Sequence, residues 1–287
     1  MIDKLRYAVK YFTGSVMAGR NFHVFPDDTF LVSYPKSGNT WARFLLASLV
    51  NPNEIVSFSN IERLLPDASS QTKRHLANTP RPRLIKSHQY LDPRYKNVIY
   101  IVRDPRDVVR SQYSFFLKCG TIEDGYDIDQ FVDRFIAGDL SLYGSWAENV
   151  GSWSVAQQPG RRFLLLRYED MIRQTAAELA KVAAFLGAPA SSVHIDRCVE
   201  LGSADRMREL EKVEGEAWVV TKGRRKDIPF VGAAQAGGWK ASLSPENVAK
   251  IDAAWGGLMR SLGYDLVTPS LQTAPQYLDA ALEPHTR

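Results

Sequence analysis

The stretch SYPKSGNTW, residues 33–41, decides the fold class of this chain of 287 residues. An apolar run from Thr29 to Val32 precedes it, and a helix-like stretch from Ala42 to Val50 follows it. This order predicts a strand that turns through a lysine-bearing loop into a helix. Backbone N–H groups and the dipole at a helix N-terminus attract anions, and Lys36 adds a full positive charge. We therefore predict a phosphate- or sulfate-binding loop, with an ordinary turn as the alternative. Further polar donors in the loop are Ser37, Asn39 and Thr40.

The loop differs from the general nucleotide-binding P-loop, GxxxxGK[ST]. In that motif the lysine follows the glycine, and a hydroxyl for magnesium follows the lysine. Here Lys36 precedes Gly38, and Ser33 stands where the motif has its first glycine. These differences disfavour magnesium-dependent ATP chemistry. Trp41 could hold a purine ring, although a tryptophan in a helix is more often part of the core.

Composition is that of an ordinary globular enzyme, with 45% hydrophobic and 24% charged residues and no linker-like segment. We predict one domain over residues 28–265, with residues 1–27 packed on it and residues 266–287 as an irregular tail. The first twelve residues show helical apolar spacing, which fits a helix lying on the domain or, as the alternative, on a membrane surface.

The net charge and the cysteine content indicate which kinds of ligand and which cellular compartment suit this chain. A dispersed net charge of +4 does not predict nucleic-acid binding but suits an anionic small molecule. No apolar stretch is long enough to span a membrane, and no signal peptide is recognisable, so we expect a cytoplasmic location. Cys119 and Cys198 lack zinc-site spacing, which fits a reducing compartment.

Short apolar runs alternate with long amphipathic stretches along the chain. The runs cover residues 83–87, 98–103 and 162–167, and the amphipathic stretches cover residues 105–117, 128–137, 142–156 and 175–186. This alternation predicts an α/β fold with a central, mostly parallel sheet flanked by helices. Ligands of such sheets bind at the carboxyl ends of the strands.

Polar residues that could take part in catalysis or ligand binding follow the predicted strands. His88 comes after the second strand and could act as a general base if it lies near an acceptor hydroxyl. Arg103 ends the third strand, where it could bind phosphate or form a structural ion pair. Asp104 and Asp107 are expected to cap the next helix. Tyr168 follows the fourth strand and could contact a nucleotide base.

Together these patterns resemble the PAPS-dependent sulfotransferases, which transfer sulfonate from 3′-phosphoadenosine 5′-phosphosulfate (PAPS). The resemblance spans about residues 30–264. It rests on the loop of residues 34–41, Lys86-Ser87-His88, Arg103 with Ser111, Tyr168-Glu169-Asp170-Met171, and Gly237-Gly238-Trp239-Lys240.

The resemblance implies a role for each matching residue. The loop Lys36-Ser37-Gly38-Asn39-Thr40-Trp41 would hold the 5′-phosphosulfate, with Trp41 and Tyr168 against the adenine. Arg103 and Ser111 would bind the 3′-phosphate, and Ser111 would also restrain Lys36 until the acceptor arrives. His88 would be the catalytic base, with Lys86 at the sulfuryl group. The products would be a sulfated hydroxyl compound, with a sulfated amine as the alternative, and adenosine 3′,5′-bisphosphate (PAP). No metal would be required.

Two positions depart from the family pattern. Ala204 stands where a phenylalanine usually stacks on the adenine, and Gly232-Ala233-Ala234 stands where an Arg-Lys-Gly triplet usually grips the 3′-phosphate. Arg224, Arg225 and Lys226 could replace that triplet, or could be a solvated basic loop.

Two other functions remain open from the sequence, an ATP-dependent phosphotransferase and a non-catalytic nucleotide-binding protein. The acceptor and the oligomeric state are not determined by the sequence. Aromatic residues in the loops predicted to grip the acceptor suggest an apolar or ring-bearing molecule; they are Tyr126, Tyr143, Trp218 and Phe230.

Overall fold

Four parallel strands form the centre of the protein in a computed structural model that describes residue 13 and residues 15–156, 160–188 and 190–267. The strands are β1 (Thr29–Ser33), β2 (Leu84–Ser87), β3 (Asn97–Val102) and β4 (Arg162–Arg167), in the spatial order β2-β1-β3-β4. Thr29 is aligned with Leu84 on one side and with Asn97 on the other. All four therefore end at the same edge of the sheet. The predicted parallel α/β fold is confirmed.

Helices cover both faces of the sheet. They are α1 (Asn39–Val50), α2 (Ile61–Leu64), α3 (Lys73–Asn78), α4 (Pro105–Cys119), α5 (Ile128–Ala137), α6 (Trp146–Ser154), α7 (Tyr168–Arg173), α8 (Thr175–Leu186), α9 (Ser192–Leu201), α10 (Ala204–Glu214) and α11 (Pro245–Ser261), with a 3₁₀ turn at Gly238–Ala241.

Side chains alternate between the two faces of the sheet along each strand, and this divides the hydrophobic core into two layers. Phe30 and Val32 belong to one hydrophobic cluster, whereas Leu31 between them belongs to the other. Each of these side chains is fully buried. Successive side chains of a strand point to opposite faces, so continuous apolar runs result when helices cover both. This is why the runs identify the sheet so well.

One predicted helix begins later than expected. The stretch of residues 142–156 is helical only over α6, and Leu142 is almost completely exposed. Ser145 accepts a hydrogen bond from the backbone N–H of Glu148, whose carboxylate accepts one from the N–H of Ser145 in return. This capping box fixes the start of the helix at Trp146.

At the N-terminus, Ala18 and Phe22 are buried in the core of the domain. The predicted amphipathic helix lies outside the described residues, as does the tail from residue 268 onward. No helix in the described part of the chain is long and apolar enough to cross a membrane.

Candidate active site

The lysine loop joins β1 to α1 through two left-handed residues. Lys36 has φ 67° and Gly38 has φ 90°, and Gly38 is the N-cap of the helix. No side chain in the described part of the protein caps α1, so its first N–H groups face the loop without a side-chain acceptor. The hydroxyl of Ser37 is buried and has no hydrogen-bond partner among the residues that the structure describes. An anion in the loop would satisfy these donors.

Gly38 is required by a close packing contact as well as by its φ angle. A Cβ at this position would lie 2.5 Å from Cδ2 of Tyr168. Tyr168 is 5% exposed and meets the Trp41 ring edge-on at a centroid distance of 5.9 Å. The indole N–H of Trp41 donates to the carbonyl oxygen of Gly202 (2.9 Å), just before the position of the missing phenylalanine. The two predicted adenine contacts are thus brought together beside the loop.

Arg103 connects the end of β3 to the lysine loop. Its Nη1 donates to the carbonyl oxygen of Lys36 (3.1 Å) and its Nη2 to that of Gln235 (3.3 Å). The guanidinium lies over the Tyr168 ring at 4.1 Å, and its Nε is buried without a partner. Among the described residues Arg103 forms no ion pair, so the structural alternative weighed for it is not observed.

The Lys36 ammonium lies between two aromatic rings, 4.3 Å from the centroid of Phe115 and 4.6 Å from that of Phe230. Burial, with the nearby charge of Arg103, lowers the pKa of Lys36 to about 7. The lysine is therefore close to losing its charge when no anion is present. A bound anion would favour the charged form.

His88 is fixed in one orientation by the end of the neighbouring strand. Its Nδ1–H donates to the carbonyl oxygen of Ser33 (2.7 Å), and because a carbonyl can only accept, Nε2 is left without a proton. The Tyr143 ring lies 5.5 Å from the His88 ring. Burial, with the positive charge of Lys86, lowers the pKa of His88 to about 3. His88 is thus a neutral imidazole with a free basic nitrogen.

Lys86 is paired with a carboxylate that the sequence did not point to. Its Nζ lies 2.5 Å from Oδ2 of Asp67, which also accepts hydrogen bonds from the N–H and hydroxyl of Ser69 through Oδ1. Burial raises the pKa of Asp67, but the charges of Lys86 and Arg43 outweigh it and hold that pKa well below its usual range. Asp67 lies 19 residues before Lys86, in no recognisable motif, so no local signal could have revealed it.

Helix α4 corrects one prediction about capping. Asp104 caps the helix through the N–H of Arg106, as predicted. Asp107 instead accepts from the N–H groups of Gly237 (2.7 Å) and Trp239 (2.9 Å), 130 residues away. Two charge-assisted hydrogen bonds to backbone N–H groups are stronger than one local capping bond, so these distant donors take the carboxylate. Ser111 follows one turn later and is half-buried.

The basic residues suggested as substitutes for the missing triplet have partners elsewhere. Arg224 donates to the carbonyl oxygen of Cys119 (3.2 Å), and Lys226 pairs with Glu216 at 3.3 Å. Arg225 pairs with Asp124 and Asp227. Their role in phosphate binding stays a prediction.

The four aromatic residues considered for the acceptor have different surroundings. Tyr143 lies beside His88, and Phe230 covers Lys36. Tyr126 packs against Phe131 in one core cluster, and Trp218 is buried in the other. Only Tyr143 and Phe230 thus lie next to the reactive groups.

Comparison with known proteins agrees with this geometry. A family model described as the sulfotransferase domain matches residues 26–263. Sulfotransferase 1A1 of Rattus norvegicus is 29% identical over 269 residues, which is 88% of this chain and 91% of the relative. Sulfotransferase 1E1 of Bos taurus is 29% identical over 236 residues, which is 76% of this chain and 79% of the relative.

Solved structures show the same fold. Retinol dehydratase, in complex with androsterone and the inactive cofactor PAP, superposes with a TM-score of 0.69 at 20% identity, over 90% of this chain and 87% of that one. A mouse sulfotransferase complexed with PAP gives 0.66 at 22% identity, over 85% and 91%.

The fold and the site define a nucleotide-dependent group-transfer enzyme, and the family match makes the class specific. The chain belongs to the sulfotransferase-domain family. The prediction of a PAPS-dependent sulfotransferase is confirmed at this level, and the family decides against the ATP-dependent phosphotransferase. Among the described residues, no group of three or more His, Cys, Asp or Glu side chains could hold a metal ion.

Proposed function

We propose that this sulfotransferase moves the sulfuryl group of PAPS to the hydroxyl of a small or medium-sized acceptor, with His88 as the base. The observation that carries this proposal is the hydrogen bond from His88 to Ser33. It leaves Nε2 unprotonated beside the lysine loop, because Ser33 is the last residue of β1.

The donor fits the unsatisfied groups of the site. The uncapped N-terminus of α1 and the buried Ser37 hydroxyl would receive the 5′-phosphosulfate, aided by Asn39 and Thr40. Arg103, with its unpartnered Nε, and Ser111 would receive the 3′-phosphate. Trp41 and Tyr168 would hold the adenine. Three of the solved neighbours are PAP complexes, which supports the same use of the site here.

Transfer requires a proton to leave the acceptor and negative charge to be stabilised on the leaving group. The Nε2 atom of His88 would take the proton from the acceptor hydroxyl as the oxygen attacks sulfur. Lys36 and Lys86 would stabilise the charge that builds on the sulfuryl and bridging oxygens. A pKa of about 3 is low for a general base. The negative charge of a bound donor would raise it towards the working range.

Asp67 keeps Lys86 in place before the donor binds. Because the carboxylate holds the ammonium at 2.5 Å, Lys86 cannot swing freely towards solvent. The Asp67 carboxylate also offsets part of the positive charge that Lys86 places near His88.

The acceptor is best sought among hydroxyl compounds with apolar bodies. The Tyr143 ring beside His88 would pack on an apolar acceptor, and a solved neighbour is a complex with retinol and PAP. A cytoplasmic location stays a prediction, supported by the two free thiols of Cys119 and Cys198.

The test is a screen of phenols, sterols, glycosides and amines with PAPS, with PAP formation measured for each. We expect PAP release only with hydroxyl acceptors and its loss in His88→Ala. Tight PAP binding without transfer to any acceptor would favour the non-catalytic nucleotide-binding protein instead.

A further inference from the structure

Arg110 is a cation on α4 that forms no ion pair with any described residue. The ion pairs of this helix are made by Arg106 and Lys118, and within the described residues the guanidinium of Arg110 has none. Arg110 is half-buried, directly before Ser111 in the chain. A half-buried arginine without a carboxylate has lost hydration without gaining a counterion, so a bound anion there would be stabilising.

The guanidinium lies against Gly238. A Cβ at Gly238 would overlap Nη1 of Arg110 and would lie 2.8 Å from its Cζ and 2.9 Å from Nε2 of Gln235. The φ angle of Gly238 is outside the left-handed region, so its backbone does not need glycine. What needs glycine here is the room taken by Arg110.

Arg110 and Arg103 converge on the same place. Arg103 donates to the carbonyl oxygen of Gln235, which follows Ala234 and precedes Gly238 by three residues. Burial raises the pKa of the Tyr168 phenol, and the charges of Arg103 and Arg110 both oppose that rise. Both guanidinium groups are therefore close to Tyr168. Two carboxylates, Asp107 and Glu169, also act on the Tyr168 phenol. Asp107 already accepts from two backbone N–H groups, and Glu169 accepts from the N–H of Asp104 and the hydroxyl of Tyr264.

We propose that Arg110 binds the 3′-phosphate of the donor together with Arg103, in place of the cations missing at Gly232-Ala233-Ala234. This inference rests on the proposed assignment of Arg103 and Ser111 to that phosphate. Two planar guanidinium groups, together with the hydroxyl of Ser111, offer donors that match the oxygens of a phosphate monoester. Gly238, which precedes Trp239, makes room for the Arg110 guanidinium.

The experiment compares PAP with adenosine 5′-phosphate (AMP), which lacks only the 3′-phosphate, by calorimetric titration of the full chain. Arg110→Ala is expected to weaken PAP binding on the order of 10- to 100-fold, the usual worth of a charged hydrogen-bonding partner. AMP binding should change by less than about 3-fold. Arg110→Lys should lose less than Arg110→Ala. Arg110→Gln preserves most of the side-chain packing and decides the question if the alanine variant does not fold.

Lys240→Ala is the matched control, since it removes one exposed positive charge two residues after Gly238. It should leave both affinities unchanged. The proposal is overturned if Arg110→Ala behaves like this control, or if it weakens PAP and AMP equally.

Arg103→Ala distinguishes a failure of the Arg110 inference from a failure of the proposed 3′-phosphate site. If Arg103→Ala selectively weakens PAP and Arg110→Ala does not, the 3′-phosphate site stands and the role of Arg110 is refuted. If neither variant distinguishes PAP from AMP, the phosphate site itself is wrongly placed, and both proposals fail.

Gly238→Ala gives a second readout of the same geometry. The added methyl group should displace Arg110 and weaken PAP binding in the wild-type background. In the Arg110→Ala background it should add little, because the side chain that it would strike is gone. Full additivity of the two losses would contradict the proposed contact.

Discussion

At the residue scale, single hydrogen bonds and contacts decide which atoms are available for chemistry. The Ser33 carbonyl fixes the tautomer of His88, and the Asp67 carboxylate holds Lys86. Tyr168 packs so closely on Gly38 that no other residue fits there. Each contact joins residues that are remote in the chain, and each constrains one function of the site.

Replacing His88 tests its role as the base. His88→Ala should reduce the rate of transfer on the order of 10²–10⁴-fold, the usual worth of a general base, because the acceptor proton has no positioned nitrogen to receive it. PAP affinity should remain close to that of the wild type, since the proposed partner of His88 is the acceptor rather than the nucleotide. Single-turnover transfer and PAP titration measure the two quantities. A rate near that of the wild type would remove His88 from this role.

Replacing Gly38 tests the packing of the adenine contacts. Gly38→Ala places a methyl group at a φ of 90° and against the Tyr168 ring, so both stability and PAP affinity should fall. Gly187→Ala is the control, because Gly187 also has a positive φ but a Cβ there would meet nothing within 4 Å. Thermal unfolding should show a loss for both variants, whereas PAP titration should show one for Gly38→Ala alone. Unchanged PAP affinity in Gly38→Ala would show that Tyr168 is not part of the nucleotide site.

At the element scale, helix α4 organises one side of the site. It carries Arg110 and Ser111 towards the proposed 3′-phosphate, and its Phe115 packs on the Lys36 ammonium. Through Asp107 it also holds the segment at Gly237 and Trp239. One helix thus connects the residues proposed to bind the 3′-phosphate with a loop that is distant in the chain.

Removing the Asp107 carboxylate should loosen that segment. Asp107→Ala leaves two N–H groups without an acceptor, which should lower the free energy of unfolding by about 1–3 kcal/mol. It should also weaken PAP binding, because Gly238 and Gln235 would no longer be held beside the two arginines. Urea unfolding and PAP titration measure these effects.

Asp127→Ala is the corresponding control. It removes the N-cap of α5, whose carboxylate accepts from the N–H of Asp129, at a cost of about 0.5–2 kcal/mol. Since α5 contributes none of the proposed donor-binding residues, PAP affinity should not change. If Asp107→Ala destabilises the fold but binds PAP normally, the contact of α4 with Gly237 and Trp239 does not contribute to nucleotide binding.

At the scale of the whole molecule, the parallel sheet brings every reactive group to one edge. The lysine loop, His88, Arg103 and Tyr168 follow four different strands, all of which end at this edge. The apolar layers on both faces keep the strands in register. The result is a site rich in cations, which should prefer a donor that brings its own negative charge.

Thermal unfolding with nucleotides tests this preference. PAP should raise the Tm in the presence of EDTA, because protein cations and backbone donors bind its phosphates without a metal. ATP, which lacks the 3′-phosphate, should raise the Tm much less under the same conditions. Equal stabilisation by both nucleotides would contradict the proposed use of Arg103.

Donor binding should also be linked to protonation of Lys36. Its pKa is about 7 in the donor-free protein, and a bound anion shifts it back towards 10.5. At about pH 8, roughly one unit above the pKa of Lys36 in the donor-free protein, PAP binding should therefore take up protons. The affinity for PAP should fall as the pH rises from about 7 towards 10.5. Calorimetry in buffers of different ionisation enthalpy measures the uptake. Lys36→Met should abolish this proton uptake. Release of protons when the wild type binds PAP would contradict the prediction.

The elements could be predicted well because their signals are local. An apolar run between turn residues defines β1, and Asp104 with Pro105 marks the start of α4. The start of α6 was predicted too early because Leu142 fitted the helical spacing, although the Ser145 capping box overrides it. Asp107 was misinterpreted for a related reason, since its local position suits a cap while its actual partners lie 130 residues away.

The sequence by itself determined the order of strands and helices, the position of the lysine loop and the family, because these depend on neighbouring residues and on motifs. Only the tertiary structure decided which side chains meet. The pairing of Lys86 with Asp67, the fixed tautomer of His88 and the position of Arg110 over Gly238 all depend on how distant segments pack. Such contacts arise from the register of the sheet and the placement of its helices, which no local pattern encodes.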